Sequence, residues 1–111
     1  MIYEKSMEFA IRIVKLYQYL TSERHEYVMS RQILKSGTSI GANVREAKYG
    51  QSRSDFIAKM SIALKEVSET EYWLELLTKT GYITGEQYNS IGKDISEIAK
   101  LLTAIVKTSK T

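Results

Sequence analysis

The sequence predicts an all-α protein, an antiparallel up-down-up-down four-helix bundle, from three observations. Four segments repeat apolar residues at alternating spacings of three and four, the period of a helix with one buried stripe. Strand-like alternation never lasts more than a few residues. The connections are roughly three to six residues long, which forces consecutive long helices to run antiparallel. A chain of 111 residues fits one domain, residues 1–111, able to bury a core without staples.

Helix one is expected over about 3–20, with Phe9, Ile13, Leu16 and Leu20 on one stripe. The polar segment from Thr21 to Glu26 ends it. Helix two follows over about 27–49, and Gly50 is placed to leave it through a left-handed residue. Helix three spans about 54–80. Its stripe, Phe56, Met60, Ala63, Val67, Thr70, Leu74 and Leu77, is a heptad seam that Gly81 stops. Helix four spans about 85–107. Thr84 and Gln87 form a capping box ahead of the seam Tyr88, Ile91, Ile95, Ile98, Leu102 and Ile105, and Ile83 and Tyr88 are spaced as its hydrophobic staple. Residues Thr108 to Thr111 are expected to fray.

Helix two holds the least helical sequence of the chain, SGTSIGANVREA. Each of its interior glycines costs about 1 kcal/mol against alanine. The segment is no phosphate loop: Gly37 and Gly41 lack the P-loop spacing, no Lys follows them and no strand precedes them. On a helical wheel both glycines fall on or beside the face of Ile33, Ile40, Val44 and Ala47. Missing side chains there admit a close neighbouring helix.

Ser36, Ser39, Asn43 and Glu46 form a polar stripe beside that face, and Glu66, Glu69 and Thr70 answer it on helix three. Buried polar groups need partners. These seven residues are therefore expected to form a polar network between helices two and three. It either fixes register or lines a ligand or catalytic site. Catalysis is poorly supported. The single histidine, His25, sits in a loop without the Glu-x-x-His pattern of a di-iron bundle. No nucleophile–base pair is visible. No enzyme, no catalytic residue, no metal site and no cofactor are expected.

Cysteine is absent, which excludes disulfides and thiolate metal sites. Glu4 and Glu8 interrupt the N-terminus where a signal peptide needs apolar residues. No apolar run approaches a membrane span of roughly 20 residues. A cytoplasmic protein with no membrane role is expected.

Helix one carries a second apolar flank through Met7, Ile11 and Val14, and helix three carries Ile62, Trp73 and Leu76 off its seam. These residues either widen the core or meet other subunits, because monomers rarely expose large apolar patches. Met7, Ile11, Val14 and Trp73 are the candidate contacts of a homo-oligomer.

Net charge is +3 and unevenly spread. Residues 1–65 hold 11 Lys/Arg and 6 Asp/Glu, net +5; residues 66–111 hold 5 and 7, net −2. Arg31, Lys35 and Arg45 lie on the outer face of helix two, with Lys48 and Arg53 at its far end. This face is either simply solvated or a surface for RNA or DNA phosphates, which need only clustered Lys and Arg. Sequence-specific readout has no motif. The alternative is a protein-interaction scaffold with no nucleic-acid role.

SGTSIGANVREA, paired with DFIAKMSIALKEVSETEYWLELL (residues 55–77) and EFAIRIVKLYQYL (residues 8–20), resembles the four-helix-bundle family of ribosomal RNA intervening-sequence proteins. The family's recurrent small and polar positions match here at Ser39, Gly41, Asn43, Glu46, Glu66, Glu69, Thr70 and Trp73. The resemblance implies an antiparallel bundle, a ring-like homopentamer and no catalytic motif. It also implies kinship with a basic bundle protein that works beside a reverse transcriptase in diversity-generating retroelements. Against that protein this chain is only mildly basic.

Overall fold

Four helices account for nearly all of the computed structural model, which describes residues 1–110: α1 (Ile2–Ser22), α2 (Met29–Lys48), α3 (Arg53–Lys79) and α4 (Gly85–Lys110). Each packs against its neighbours in the chain, and α4 returns to α1 along the thinnest edge. Diagonal helices come no closer than 8 Å between Cα atoms among the described residues. Chain order thus equals spatial order around the bundle, as in the up-down-up-down arrangement. The long axis is 44 Å, and the section is 20 × 19 Å.

The core is the sum of the four seams. Phe9, Ile13, Leu16 and Leu20 from α1 meet Ile33, Ile40, Val44 and Ala47 from α2. Met60, Ala63, Val67, Leu74 and Leu77 from α3 and Ile91, Ile95, Ile98 and Leu102 from α4 complete it. Phe56, Tyr88 and Ile105 lie at the seam ends and are only half-buried. Full burial of each Leu or Ile contributes about 1.5–3 kcal/mol, so the seams carry most of the stability.

Chain ends of the helices follow local chemistry. At the end of α3, Tyr82 N–H donates to Leu77 O (2.9 Å) and Gly81 N–H to Thr78 O (3.1 Å), with Gly81 at φ +82°. That is a Schellman closure, which glycine adopts without a Cβ clash. Ahead of α4, Thr84 N–H donates to the Gln87 side-chain oxygen (2.7 Å) and Gln87 N–H to Thr84 Oγ1 (3.1 Å). Ile83 is buried beside this capping box and Tyr88 packs on the core.

Three expectations need correction. Gly50 does not take a left-handed conformation. A side chain there is opposed by crowding instead, since a Cβ would lie 3.2 Å from Ala47 O and 3.3 Å from Asp55 Cβ. The helix of α4 continues through Thr108, Ser109 and Lys110, where fraying was expected; Arg53 Nε–H donates to Ser109 O (3.0 Å) and ties that last turn to α3. Thr111 lies outside the described residues. Finally, α2 starts at Met29, not Tyr27. The buried Glu26 carboxylate accepts the N–H groups of Val28, Met29 and Ser30 at 3.2, 3.0 and 2.7 Å. A carboxylate facing free N–H groups at the positive pole of the helix sets its first turn.

Candidate nucleic-acid interface

Antiparallel packing brings the C-terminus of α2, the α2–α3 turn, the N-terminus of α3 and the C-terminus of α4 to one end of the bundle. These pieces carry Arg45, Lys48, Arg53, Lys107 and Lys110, all exposed. None of the five forms an ion pair among the described residues, whereas Lys59 beside them is neutralised by Glu46 (2.9 Å). Their charge is offset only in part, by Glu4 on α1, which feels Lys48, and by Glu46 and Asp55 on the cleft beside Arg45. A group of that kind attracts a polyanion.

The turn that shapes this end is short and built by backbone contacts. Tyr49 closes α2 at φ −104°, ψ 16°, its N–H bonded to Ala47 O and Glu46 O. Ser52 then caps α3 in an extended conformation, its hydroxyl accepting Asp55 N–H at 3.0 Å. Tyr49 is thereby pushed outward and is 72% exposed. Lys48 Nζ stands 5.7 Å from the Tyr49 ring centroid and 5.1 Å from that of Tyr3 on α1. Both separations suit cation–π attraction.

Arg31 and Lys35 do not belong to this group. Both are exposed, but Arg31 is about 25 Å from Lys48 along the α2 axis. The basic stripe of the helical wheel is therefore spread over the length of α2, and only its C-terminal part joins charges from other helices. Wheel analysis of one helix missed Lys107 and Lys110, because only the alternating direction of four helices brings α4's last turn to this end. Tyr49 was also missed, since a tyrosine at a helix end carries no motif.

The polar residues between α2 and α3 do not form one network. Thr70 Oγ1 lies 3.0 Å from Ser36 Oγ, both buried, and Glu46 reaches Lys59 across the same interface. The rest stay on their own helices. Ser39 Oγ–H donates to Lys35 O, and Asn43 Nδ2–H to Ser39 O. Glu66 supplies its backbone oxygen to Thr70, and the Glu69 carboxylate accepts Trp73 Nε1–H at 3.2 Å. Side chains this short satisfy themselves on the preceding turn. No group of three or more His, Asp or Glu fit to hold a metal ion occurs among the described residues.

Of the apolar flanks, Met7, Ile11 and Val14 are 45%, 50% and 39% exposed. Met7 also lines a groove between α1 and α2 with Ala10, Gly41 and Ala42. Trp73 differs: it is half-buried against the core, and its edge partner Tyr72 is the exposed ring. The α1–α4 edge is polar, with Arg12 reaching Asp94 and Ser90, and Lys5 reaching Glu97 (3.0 Å). The hydrogen bond that Lys5 donates to the Glu97 carboxylate holds its ammonium above its ordinary pKa. No helix among the described residues is long and apolar enough to cross a membrane.

Comparison with known proteins agrees with this architecture. The 23S rRNA-intervening sequence protein family matches residues 1–104. A crystal structure of a protein of unknown function from the S23 ribosomal protein family of Bacteroides thetaiotaomicron is similar at 64% identity and a TM-score of 0.95. The match covers 96% of this chain and 99% of that one. No curated protein matches. On the family match over nearly its whole length and on this close structural likeness, the chain belongs to the 23S rRNA-intervening sequence protein family.

Proposed function

We propose that this chain is a non-enzymatic, cytoplasmic binding module that assembles with copies of itself and holds RNA or DNA by its phosphates at the basic end of the bundle. One observation carries the binding: Arg45, Lys48, Arg53, Lys107 and Lys110 meet at that end without ion-pair partners among the described residues. Phosphate contacts of this kind position a nucleic acid without reading its sequence. The family's name, which refers to ribosomal RNA, is compatible with such a ligand.

Self-association is supported by two separate apolar surfaces. Met7, Ile11 and Val14 project from α1, while Ile62 and Tyr72 project from α3. Contact between two different patches is head-to-tail, and such contacts form rings when their rotation closes. A five-membered ring is the size that the family resemblance implies. Several copies of one basic end then add weak contacts as avidity.

Fluorescence anisotropy with labelled RNA and DNA, titrated against salt, tests the binding. Affinity is expected to fall steeply with salt and to differ little between sequences. An absence of binding at low salt sinks the nucleic-acid role and leaves the scaffold for a protein partner. Light scattering tests the assembly: a mass of one chain at micromolar concentration rules the ring out.

A further inference from the structure

We propose that the basic end takes single-stranded nucleic acid, with Tyr49 as a platform on which an unpaired base stacks. This deepens the phosphate-binding function proposed above and rests on it. The motivation is the surroundings of the exposed rings. Tyr27, Tyr49 and Tyr72 are the exposed tyrosines. The Tyr27 hydroxyl is taken by His25 Nδ1 at 3.2 Å. Tyr72 packs edge-on against Trp73 and borders a groove with Glu71 and Glu75, whose charge repels a phosphate chain. Tyr49 has Lys48 at 5.7 Å from its ring centre and Arg45 on the cleft it borders, where Lys59 is paired with Glu46 and Asp55 is the other carboxylate.

That cleft is open and has a volume of about 480 Å³, within the range of small-ligand sites. Gln51 also lines it and offers an amide, donor and acceptor together. The combination is a flat exposed ring, cations at the same end of the bundle, and room beside the ring. Proteins bind single strands in this way, because every base has a π face while a duplex hides its own. Duplex recognition needs no exposed ring, so Tyr49 has no role in it.

The test uses the intact protein with three probes: a short oligothymidylate, an abasic strand with the same number of phosphates, and a duplex of equal length. The wild type is expected to bind oligothymidylate more tightly than the abasic strand. Tyr49→Ala is expected to remove that margin, a loss of roughly five- to hundredfold, and Tyr49→Phe to keep it. Lys48→Gln weakens all three probes alike. A 2-aminopurine base in the strand is expected to be quenched by the wild type and by Tyr49→Phe, but not by Tyr49→Ala. Equal affinity for the abasic strand, or a margin that survives Tyr49→Ala, overturns the stacking site and leaves phosphate binding standing. Failure of all three probes to bind overturns both. Because Tyr49 is largely exposed, circular dichroism should show both variants folded.

Discussion

A β-carbon on Gly37 would lie 2.9 Å from both γ carbons of Ile13. The glycine of α2 is therefore a contact surface for α1, and its conformational freedom is unused. Ile13 is fully buried and β-branched, so its side chain cannot swing away. Gly37→Ala gains up to about 1 kcal/mol of helix propensity but overpacks a core site, at about 1–3 kcal/mol. A net loss near 1–2 kcal/mol is expected in urea unfolding. Gly41→Ala meets the Ser6 backbone oxygen at 3.3 Å and its C and Cβ at 3.5 and 3.6 Å, a tight approach that the gain in helix propensity of about 1 kcal/mol offsets, so it should be close to neutral. Ile13→Ala vacates the clashing atoms, so the double variant with Gly37→Ala should be more stable than the sum of the singles predicts. Additive losses would show that Ile13 is not what excludes the methyl.

The Ser36–Thr70 pair yields unequal substitutions. Thr70 Oγ1 is also 2.8 Å from Glu66 O, while Ser36 Oγ has otherwise only Ile33 O at 3.5 Å. Each hydroxyl has one proton to give. Ser36→Ala leaves Thr70 donating to Glu66 O, at a cost below about 1 kcal/mol. Thr70→Val strands the buried Ser36 hydroxyl, at about 1–2 kcal/mol. Thermal unfolding of the two variants should rank them in that order; the reverse order would refute the assignment of donors.

Glu26 is expected to matter more than its position in a loop suggests. Glu26→Ala removes the acceptor for three N–H groups of α2 and should destabilise by about 1–3 kcal/mol. Hydrogen exchange should show the loss first at Val28, Met29 and Ser30, the residues it caps. Uniform loss of protection across the bundle, with no excess at those amides, would contradict a capping role.

The seams of all four helices, the stop at Gly81 and the Thr84–Gln87 box are legible in the sequence, since each is a local pattern with one dominant physical cause. Glu26 escaped because capping there is done by a long carboxylate ahead of the N-cap rather than by a short side chain at it. Gly50 was misjudged for a related reason: a glycine after a helix serves either φ or proximity, and the sequence does not separate them. The predicted polar network treated seven side chains as facing one partner. Ser39 and Asn43 were satisfied by their own helix, which a wheel cannot register. The candidate site was half legible. Arg45, Lys48 and Arg53 stand on or beside one helix, but Lys107, Lys110 and Tyr3 join them only through topology.

That difference in origin sets the last prediction. If the end of the bundle holds the phosphates, the residues of the basic stripe are not equivalent. Each phosphate contact adds about 0.9 to the slope of log affinity against log salt for duplex DNA, about 0.7 for a single strand. Lys48→Gln or Lys107→Gln is expected to lower that slope by about one contact per site and to weaken binding evenly across sequences. Arg31→Gln and Lys35→Gln, set back along α2, are expected to leave the slope nearly unchanged. All four residues are exposed, and surface changes of this kind move stability by at most about 0.5 kcal/mol, so altered affinity is not an unfolding effect. Equal losses at Arg31, Lys35 and Lys48 would instead place the phosphates along the whole outer face of α2, and would remove the end-on geometry on which Tyr49 depends.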